Sequence, residues 1–105
     1  MIIGVDLGGT NIRAGLIQGG EVLQSINHKL TNKHSLDATL EQIIAVIEPL
    51  VSEEVEGIGI GVPSIVDVDN GVVFDVVNIP SWKKVELKKI LEEQFHKPVF
   101  VNNDV

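Results

Sequence analysis

The sequence has no cysteine, so neither a disulfide nor a thiolate metal site can form within its 105 residues. It also has no apolar run near the roughly 20 residues that a membrane-spanning helix needs. No basic segment precedes the first apolar stretch, and Asp6 interrupts that stretch early, which is not the pattern of a secretory signal peptide. We therefore expect a cytoplasmic protein that does not enter a membrane.

Positive charge is scarce as well. The chain has 8 lysines and arginines against 15 acidic residues, which gives a formal net charge of −7. The densest basic segment, residues 83–89, is diluted by glutamate and has the pattern of a solvated helix face. Because nucleic-acid binding needs a concentrated positive surface, we do not expect this segment to bind nucleic acid. The composition, 44% apolar and 22% charged, is that of a single globular domain.

Hydrophobic periodicity predicts the element order β-β-β-α-β-hairpin-α-β. Three antiparallel strands followed by helical crossovers to parallel strands give an α/β fold with a mixed sheet and helices packed against it. The predicted strands are 2–6, 11–17, 21–30, 56–64 and 99–101, the predicted helices are 35–52 and 85–95, and the hairpin is 65–77.

Several local signals support these elements. Gly8-Gly9 and Gly19-Gly20 separate the first three strands, and we expect these glycines to supply the positive φ of tight hairpins. Ser35 is a candidate N-cap for the first helix, and Pro49 predicts that this helix kinks or ends near that position. Glycines alternate with apolar residues in 57–62, which predicts a strand with one bare face open to a ligand or another element.

Three further features have structural explanations. Residues 67–71, D-V-D-N-G, resemble a calcium loop, but the glycine is fifth rather than sixth, so a hairpin turn is the better interpretation. Trp82 is expected to be a packing anchor, with pocket lining as the alternative. The three histidines are far apart and are expected at the surface: His28, His34 and His96.

The glycine-rich break after Asp6 suggests a phosphate site. A P-loop needs lysine where Thr10 stands, and a dinucleotide fingerprint must open a helix, whereas residues 11–17 have a strand pattern. The remaining interpretation is a hairpin whose turn amides face a phosphate, with a Mg²⁺ ion held through water between the phosphate and Asp6. A plain tight turn capped by Asp6 would explain the same residues.

Four stretches together resemble the ROK (repressor, ORF, kinase) family of bacterial sugar kinases, within the sugar kinase/hsp70/actin superfamily. In family order they are D-L-G-G-T-N-I-R at 6–13, G-I-G-I-G-V-P at 57–63, N-I-P-S-W at 78–82 and V-F-V-N-N-D at 99–104. The resemblance covers essentially the whole chain. It implies a ribonuclease-H-like (actin-like ATPase) domain, residues 1–105, that forms the N-terminal lobe of a glucokinase-like protein whose C-terminal lobe is absent from this sequence.

The resemblance also implies the chemistry: ATP-dependent phosphorylation of a hexose hydroxyl, typically O6, with Mg²⁺ as cofactor and with the sugar and ATP as partners. A zinc site would lie beyond residue 105, and the full-length protein would be a homodimer. The residues carried over are Asp104 as general base, Asn103, Asn78 and Ser64 for the sugar, and Asp6, Gly8, Gly9, Thr10 and Asn11 for Mg²⁺-ATP, with Asp6 contacting the metal through water.

The residues themselves leave alternatives open. Asn103 and Asp104 could cap a following helix, and Asn78 could be a loop residue bonded to its own backbone. Position 64 is Ser where the family often has Gly, and position 102 is Asn where it often has Glu, so the sugar pocket is expected to differ there.

Two other functions compete with the kinase. A sugar-sensing repressor of the same family would carry a DNA-binding domain before the first strand, and Met1 standing directly before that strand favours the kinase. A non-catalytic truncated module is the third possibility. We expect the 105-residue chain alone to be inactive, because a cleft that excludes water needs a second lobe.

Overall fold

A five-stranded mixed sheet forms the centre of the structure, a computed structural model that describes residues 1–76 and 78–103. Its strands are β1 (Ile2–Leu7), β2 (Asn11–Gln18), β3 (Glu21–Lys29), β4 (Gly57–Val62) and β8 (Val99–Asn103). The first three form an antiparallel meander, and β4 and β8 run parallel to β1, in the order β3-β2-β1-β4-β8. The predicted α/β fold with a mixed sheet is confirmed.

Two α-helices connect the parallel strands. In α1 (Leu36–Ile47), the Ser35 hydroxyl accepts a hydrogen bond from the Ala38 amide at 3.2 Å, so the predicted N-cap is confirmed. The helical pattern was predicted over 35–52, and the predicted end near Pro49 is confirmed: a 3₁₀ turn (Glu48–Leu50) follows α1, because Pro49 cannot donate to the α-helical ladder. In α2 (Leu87–Phe95), the first residue lies two positions later than predicted.

A small second sheet explains the late start of α2. It consists of β5 (Ile65–Asp67), β6 (Val72–Phe74) and β7 (Lys84–Val85), in that order. The hairpin predicted around Asn70-Gly71 is confirmed as the β5–β6 pair, although it ends at Phe74 and Val77 lies outside the described residues. The third strand was not predicted, because two residues are too short to show an alternating pattern.

The core lies between the five-stranded sheet and the helices. Alternate residues of β1 point into it, and Ile3 and Leu7 are fully buried. Trp82 is also fully buried, and its indole N–H donates to the Thr39 hydroxyl of α1 at 2.7 Å, so its interpretation as a packing anchor is confirmed. On the opposite sheet face, Ile2 and Phe100 are 51% and 66% exposed beside the glycines of β4. The three histidines are exposed, as expected.

The two glycine pairs of the meander differ. Gly19 and Gly20 have φ of 59° and 82°, as predicted. The prediction of positive φ is wrong for Gly8 and Gly9, neither of which lies in the left-handed region. The reason for glycine at position 9 is steric and is described below. No helix in the described part of the chain is long and apolar enough to cross a membrane.

Candidate functional site

The carboxyl ends of the three parallel strands meet at one edge of the central sheet. The register pairs Asp6 of β1 with Gly61 of β4, and Val62 of β4 with Asn103 of β8. Loops that follow these strand ends therefore converge there, in the place where open α/β sheets bind ligands. The described residues that the sequence singled out for nucleotide and sugar lie at this edge or in the loops beside it.

The turn after β1 offers backbone donors. The Gly8 amide donates to the Asn11 carbonyl at 2.9 Å and closes the hairpin, so this amide is already engaged within the turn. The Gly9 and Thr10 amides donate no hydrogen bond within residues 1–76 and 78–103, which leaves them for a ligand. The Asn11 side-chain amide donates to the Thr10 hydroxyl at 3.1 Å, and the Leu30 amide donates to the Thr10 carbonyl at 2.8 Å. The turn is thus fixed by these bonds while two of its amides donate no hydrogen bond within the described residues.

Asp6 is the carboxylate next to this turn. It is exposed at the end of β1, two residues before Gly8. Among the described residues, no three His, Cys, Asp or Glu side chains lie close enough together to hold a metal ion. A single carboxylate fits Mg²⁺, which keeps most of its waters and is completed by substrate phosphates. Asp6 would therefore hold Mg²⁺ through water, and the nucleotide would supply the remaining oxygens.

Arg13 is a residue whose role the sequence interpretation missed. It is the register partner of Asp6 on β2, and both side chains are exposed on the same face of the sheet. Arg13 forms no ion pair with any residue of the described ranges. A cation beside the turn would offset phosphate charge in a lobe with a net charge of −7. The sequence could have indicated this position, because a hairpin centred between Gly9 and Thr10 pairs Asp6 with Arg13.

Asn78 lies directly against the glycine turn. A Cβ on Gly9 would lie 2.7 Å from both the Asn78 Cβ and its Nδ2, and 2.9 Å from its Cγ. These distances are below what real Cβ atoms show, so position 9 needs glycine to let Asn78 approach. A residue of the predicted sugar site therefore touches the predicted phosphate turn.

Ser64 and Asn103 form a second contact at the same edge. The Asn103 side-chain amide donates to the Ser64 carbonyl, and the Ser64 hydroxyl donates to the Phe74 carbonyl of β6. The Asn103 backbone amide donates to the Asn102 side chain at 2.8 Å. With its proton engaged, the Ser64 hydroxyl is left to accept a hydrogen bond from a ligand rather than donate one. Asp104, the predicted general base, lies outside the described residues, as does the helix-cap alternative that depends on it.

Comparison with known proteins places this site in a family. The ROK family model matches residues 2–105. The chain is 33% identical over 105 residues to a glucokinase of Thermotoga maritima, covering 98% of this chain and 33% of that protein. It is 31% identical over 110 residues to a xylose repressor of Caldicellulosiruptor bescii, covering 98% of this chain and 27% of the repressor.

A solved structure shows the same fold. The ROK family glucokinase from Streptomyces griseus, in complex with glucose and AMPPNP, superposes with a TM-score of 0.86 at 31% identity, covering 98% of this chain and 33% of that one. The expected actin-like ATPase fold is confirmed by this neighbour. The chain spans about a third of the length of these relatives. By its match over residues 2–105, the chain belongs to the ROK family.

Proposed function

We propose that this chain is the N-terminal lobe of an ATP-dependent hexose kinase that is glucokinase-like and transfers the γ-phosphoryl group of ATP to a sugar hydroxyl, with O6 as the expected acceptor. One observation carries the proposal. At one edge of the sheet the structure brings together two turn amides that donate no hydrogen bond among the described residues, one carboxylate and two amide side chains. They belong to Gly9 and Thr10, to Asp6, and to Asn78 and Asn103. Phosphoryl transfer requires an oriented acceptor and neutralised phosphate charge, and this edge offers groups for both.

The nucleotide belongs on the β1–β2 side of the edge. Two adjacent turn amides form an anion-binding concavity, and the Thr10 hydroxyl adds a third donor. Mg²⁺, when bound, neutralises phosphate charge, and Asp6 would hold it through water. Gly8 contributes by closing the hairpin with its bond to the Asn11 carbonyl, which fixes where the free amides point.

The sugar belongs on the β4–β8 side. Asn103 and Asn78 each have a donor and an acceptor, which suits sugar hydroxyls, and Ser64 can accept. Asp104 follows β8 directly in the sequence, and a carboxylate there would take the proton of the attacking hydroxyl. We extend the proposal to a cytoplasmic homodimer, with any zinc site in a part of the protein beyond residue 105.

A sugar-responsive transcriptional repressor is the second candidate, and the xylose repressor relative favours it specifically. A repressor needs the sugar-binding half of the edge but not phosphoryl transfer. Asn103 therefore serves both functions equally, and turnover, not sugar affinity, separates them.

The test uses the full-length protein that carries this lobe. It is supplied with Mg²⁺-ATP and a panel of hexoses, ADP release is followed, and the phosphorylated position is read by NMR. Asp104→Asn should lower kcat by about 10²–10⁴-fold, because the general base is lost, while sugar affinity is largely kept. Asp69→Asn, an exposed carboxylate on the β5–β6 hairpin, is the matched control and should retain full turnover.

Three results would contradict the proposal. Sugar binding with no ADP release from the full-length protein supports the repressor. Full turnover by Asp104→Asn removes that residue as the base. Hexose-dependent ADP release by the 105-residue chain alone would show that a second lobe is not required.

A further inference from the structure

We infer that the contact between Gly9 and Asn78 couples the two halves of the site, so that Gly9 is a positioning residue for the sugar as well as a part of the phosphate turn. The inference rests on the proposed function, because it takes Asn78 to face the sugar and the Gly9 turn to face the nucleotide. It assigns Gly9 a second role that its place in the glycine turn does not require.

The need for glycine at position 9 does not come from backbone conformation. Gly9 has no positive φ, so a left-handed backbone is not what requires glycine there. What excludes alanine is the Asn78 side chain, whose Cβ and Nδ2 would both lie 2.7 Å from the new methyl group. Glycine is thus present to let a second loop approach the turn.

Described residues on both sides of Asn78 are anchored to the rest of the structure, which limits how far Asn78 can move away. The Val76 amide donates to the Trp82 carbonyl at 3.1 Å, and the Trp82 amide donates to the Ile79 carbonyl at 2.9 Å. Ile79 and Trp82 are both fully buried. The Ser81 hydroxyl donates to the Lys33 carbonyl at 2.8 Å, which ties the loop to the segment before α1.

A methyl group on Gly9 must therefore displace either the Asn78 side chain or the turn itself. Displacing Asn78 moves a side chain that is proposed to bind the sugar. Displacing the turn moves the Gly9 and Thr10 amides that are proposed to bind the phosphate. We infer the first case, in which a change made on the nucleotide side moves Asn78 and is felt on the sugar side. Because equilibrium coupling between two ligands is reciprocal, bound sugar that holds Asn78 in place also favours the turn geometry that takes the nucleotide.

Gly8 provides a matched comparison in the same turn. A Cβ on Gly8 would meet the Asn11 carbonyl at 3.3 Å and the Asn11 nitrogen at 4.0 Å, with Asn78 not among its neighbours. Gly8→Ala thus perturbs the turn without touching the sugar loop, whereas Gly9→Ala perturbs both.

The experiment is a double-mutant cycle in the full-length kinase with KM measured separately for hexose and ATP. Gly9→Ala should raise the hexose KM about threefold to tenfold, the range expected for a lost hydrogen bond, and Asn78→Gly should do the same. The double variant should have a hexose KM no higher than that of Asn78→Gly, because removing the Asn78 Cβ makes room for the methyl group. Combining Gly9→Ala with Asn78→Ala keeps that Cβ, so the clash should persist.

The controls decide between coupling and general damage. Gly8→Ala should raise the ATP KM and leave the hexose KM unchanged. Additive effects of Gly9→Ala and Asn78→Gly on the hexose KM, or a Gly9→Ala variant that changes the ATP KM alone, would overturn the inference. If Gly9→Ala fails to fold, the inference predicts that adding Asn78→Gly restores folding. A double variant that still fails to fold would overturn the inference.

A crystal structure of Gly9→Ala separates this inference from the proposed function. If Asn78 is displaced in the variant and the unsubstituted full-length protein has no kinase activity, the inferred contact is kept and the kinase function is refuted. If Asn78 is not displaced in the variant and the unsubstituted protein is an active kinase, the coupling is refuted and the kinase function is kept.

Discussion

Two glycine pairs close the two hairpins of one meander, and they are needed for different reasons. Gly19 and Gly20 have φ of 59° and 82°, and a Cβ on either would meet no atom within 4 Å. Gly8 and Gly9 have no positive φ, but a Cβ on Gly9 would lie 2.7 Å from Asn78. Gly19 and Gly20 satisfy the backbone conformation of a solvent-exposed turn, whereas Gly9 allows a close contact within the candidate site.

A third glycine combines both reasons. Gly71, in the β5–β6 turn, has a φ of 64°, and a Cβ there would lie 2.1 Å from the Cβ of Lys88 in α2. The Lys88 amide also donates to the Gly71 carbonyl at 3.1 Å. Glycine is therefore required by backbone conformation at Gly20, by close approach of another side chain at Gly9, and by both at Gly71. Substitutions at the three turns should have correspondingly different effects.

The largest expected effect contrasts the acids beside the two glycine pairs. If the proposed function holds, Asp6→Asn should lower kcat/KM for ATP by about 10²–10³-fold in the full-length protein, because the proposed metal site loses its carboxylate beside the phosphate turn. Glu21→Gln, beside the second pair, should change it less than twofold. Steady-state kinetics with varied Mg²⁺ measures both, and equal effects at the two turns would break the contrast.

The next effect concerns Gly71. Gly71→Ala should destabilise the chain by roughly 2–5 kcal/mol, since it adds left-handed backbone strain to a collision with α2. Urea unfolding of the chain measures this loss. A cost no larger than that of a single strained turn would show that α2 shifts freely away from the hairpin.

Gly20 should show backbone strain alone. Gly20→Ala should cost about 1–2 kcal/mol of unfolding free energy, because a side chain is placed in the left-handed region with open space around it. Gly20→Asn should recover part of the loss, since asparagine tolerates that region. Both are checked by urea unfolding, and a cost for Asn as large as that for Ala would point to a clash instead.

The smallest effect lies in the charge of the Gly71 turn. The Asn70 side-chain amide donates to the Asp67 carboxylate at 2.9 Å, and this bond lowers the pKa of Asp67 below its ordinary value. Because the folded-state pKa is depressed, the carboxylate stabilises the hairpin above its unfolded-state pKa of about 3.8, and this contribution is lost as the pH falls through the folded-state pKa. Asn70→Ala should raise the pKa of Asp67 toward its ordinary value in an NMR titration. An unchanged pKa would assign the shift to another cause.

The strands and helices could be predicted from the sequence because their signals are local. Alternation in β1 and β4, the Ser35 cap and the Asn70-Gly71 turn each act within a few residues. The two-residue strand β7 forms through pairing with β6, a tertiary contact that leaves no periodic pattern.

The residues of the candidate site were proposed from the sequence, but the contacts between them were not. The sequence placed Asp6, Gly9 and Asn78 in one cleft through a resemblance of motifs. It attributed Gly9 to turn conformation, because a glycine required by a distant side chain looks the same in sequence as one required by φ. It also grouped Gly8 with the nucleotide-binding residues without showing that the Gly8 amide bonds to the Asn11 carbonyl across the hairpin.

Hydrogen–deuterium exchange of the full-length protein with and without Mg²⁺-AMPPNP tests most directly whether the first glycine turn binds nucleotide. We predict that peptides containing Gly9 and Thr10 exchange more slowly when the nucleotide is bound, because amides that donate no hydrogen bond among the described residues become hydrogen-bonded to phosphate. Peptides containing Gly19 and Gly20 should not change. Unaltered exchange at residues 9 and 10 under saturating nucleotide, or equal protection of both turns, would contradict nucleotide binding by the Gly8-Gly9 turn.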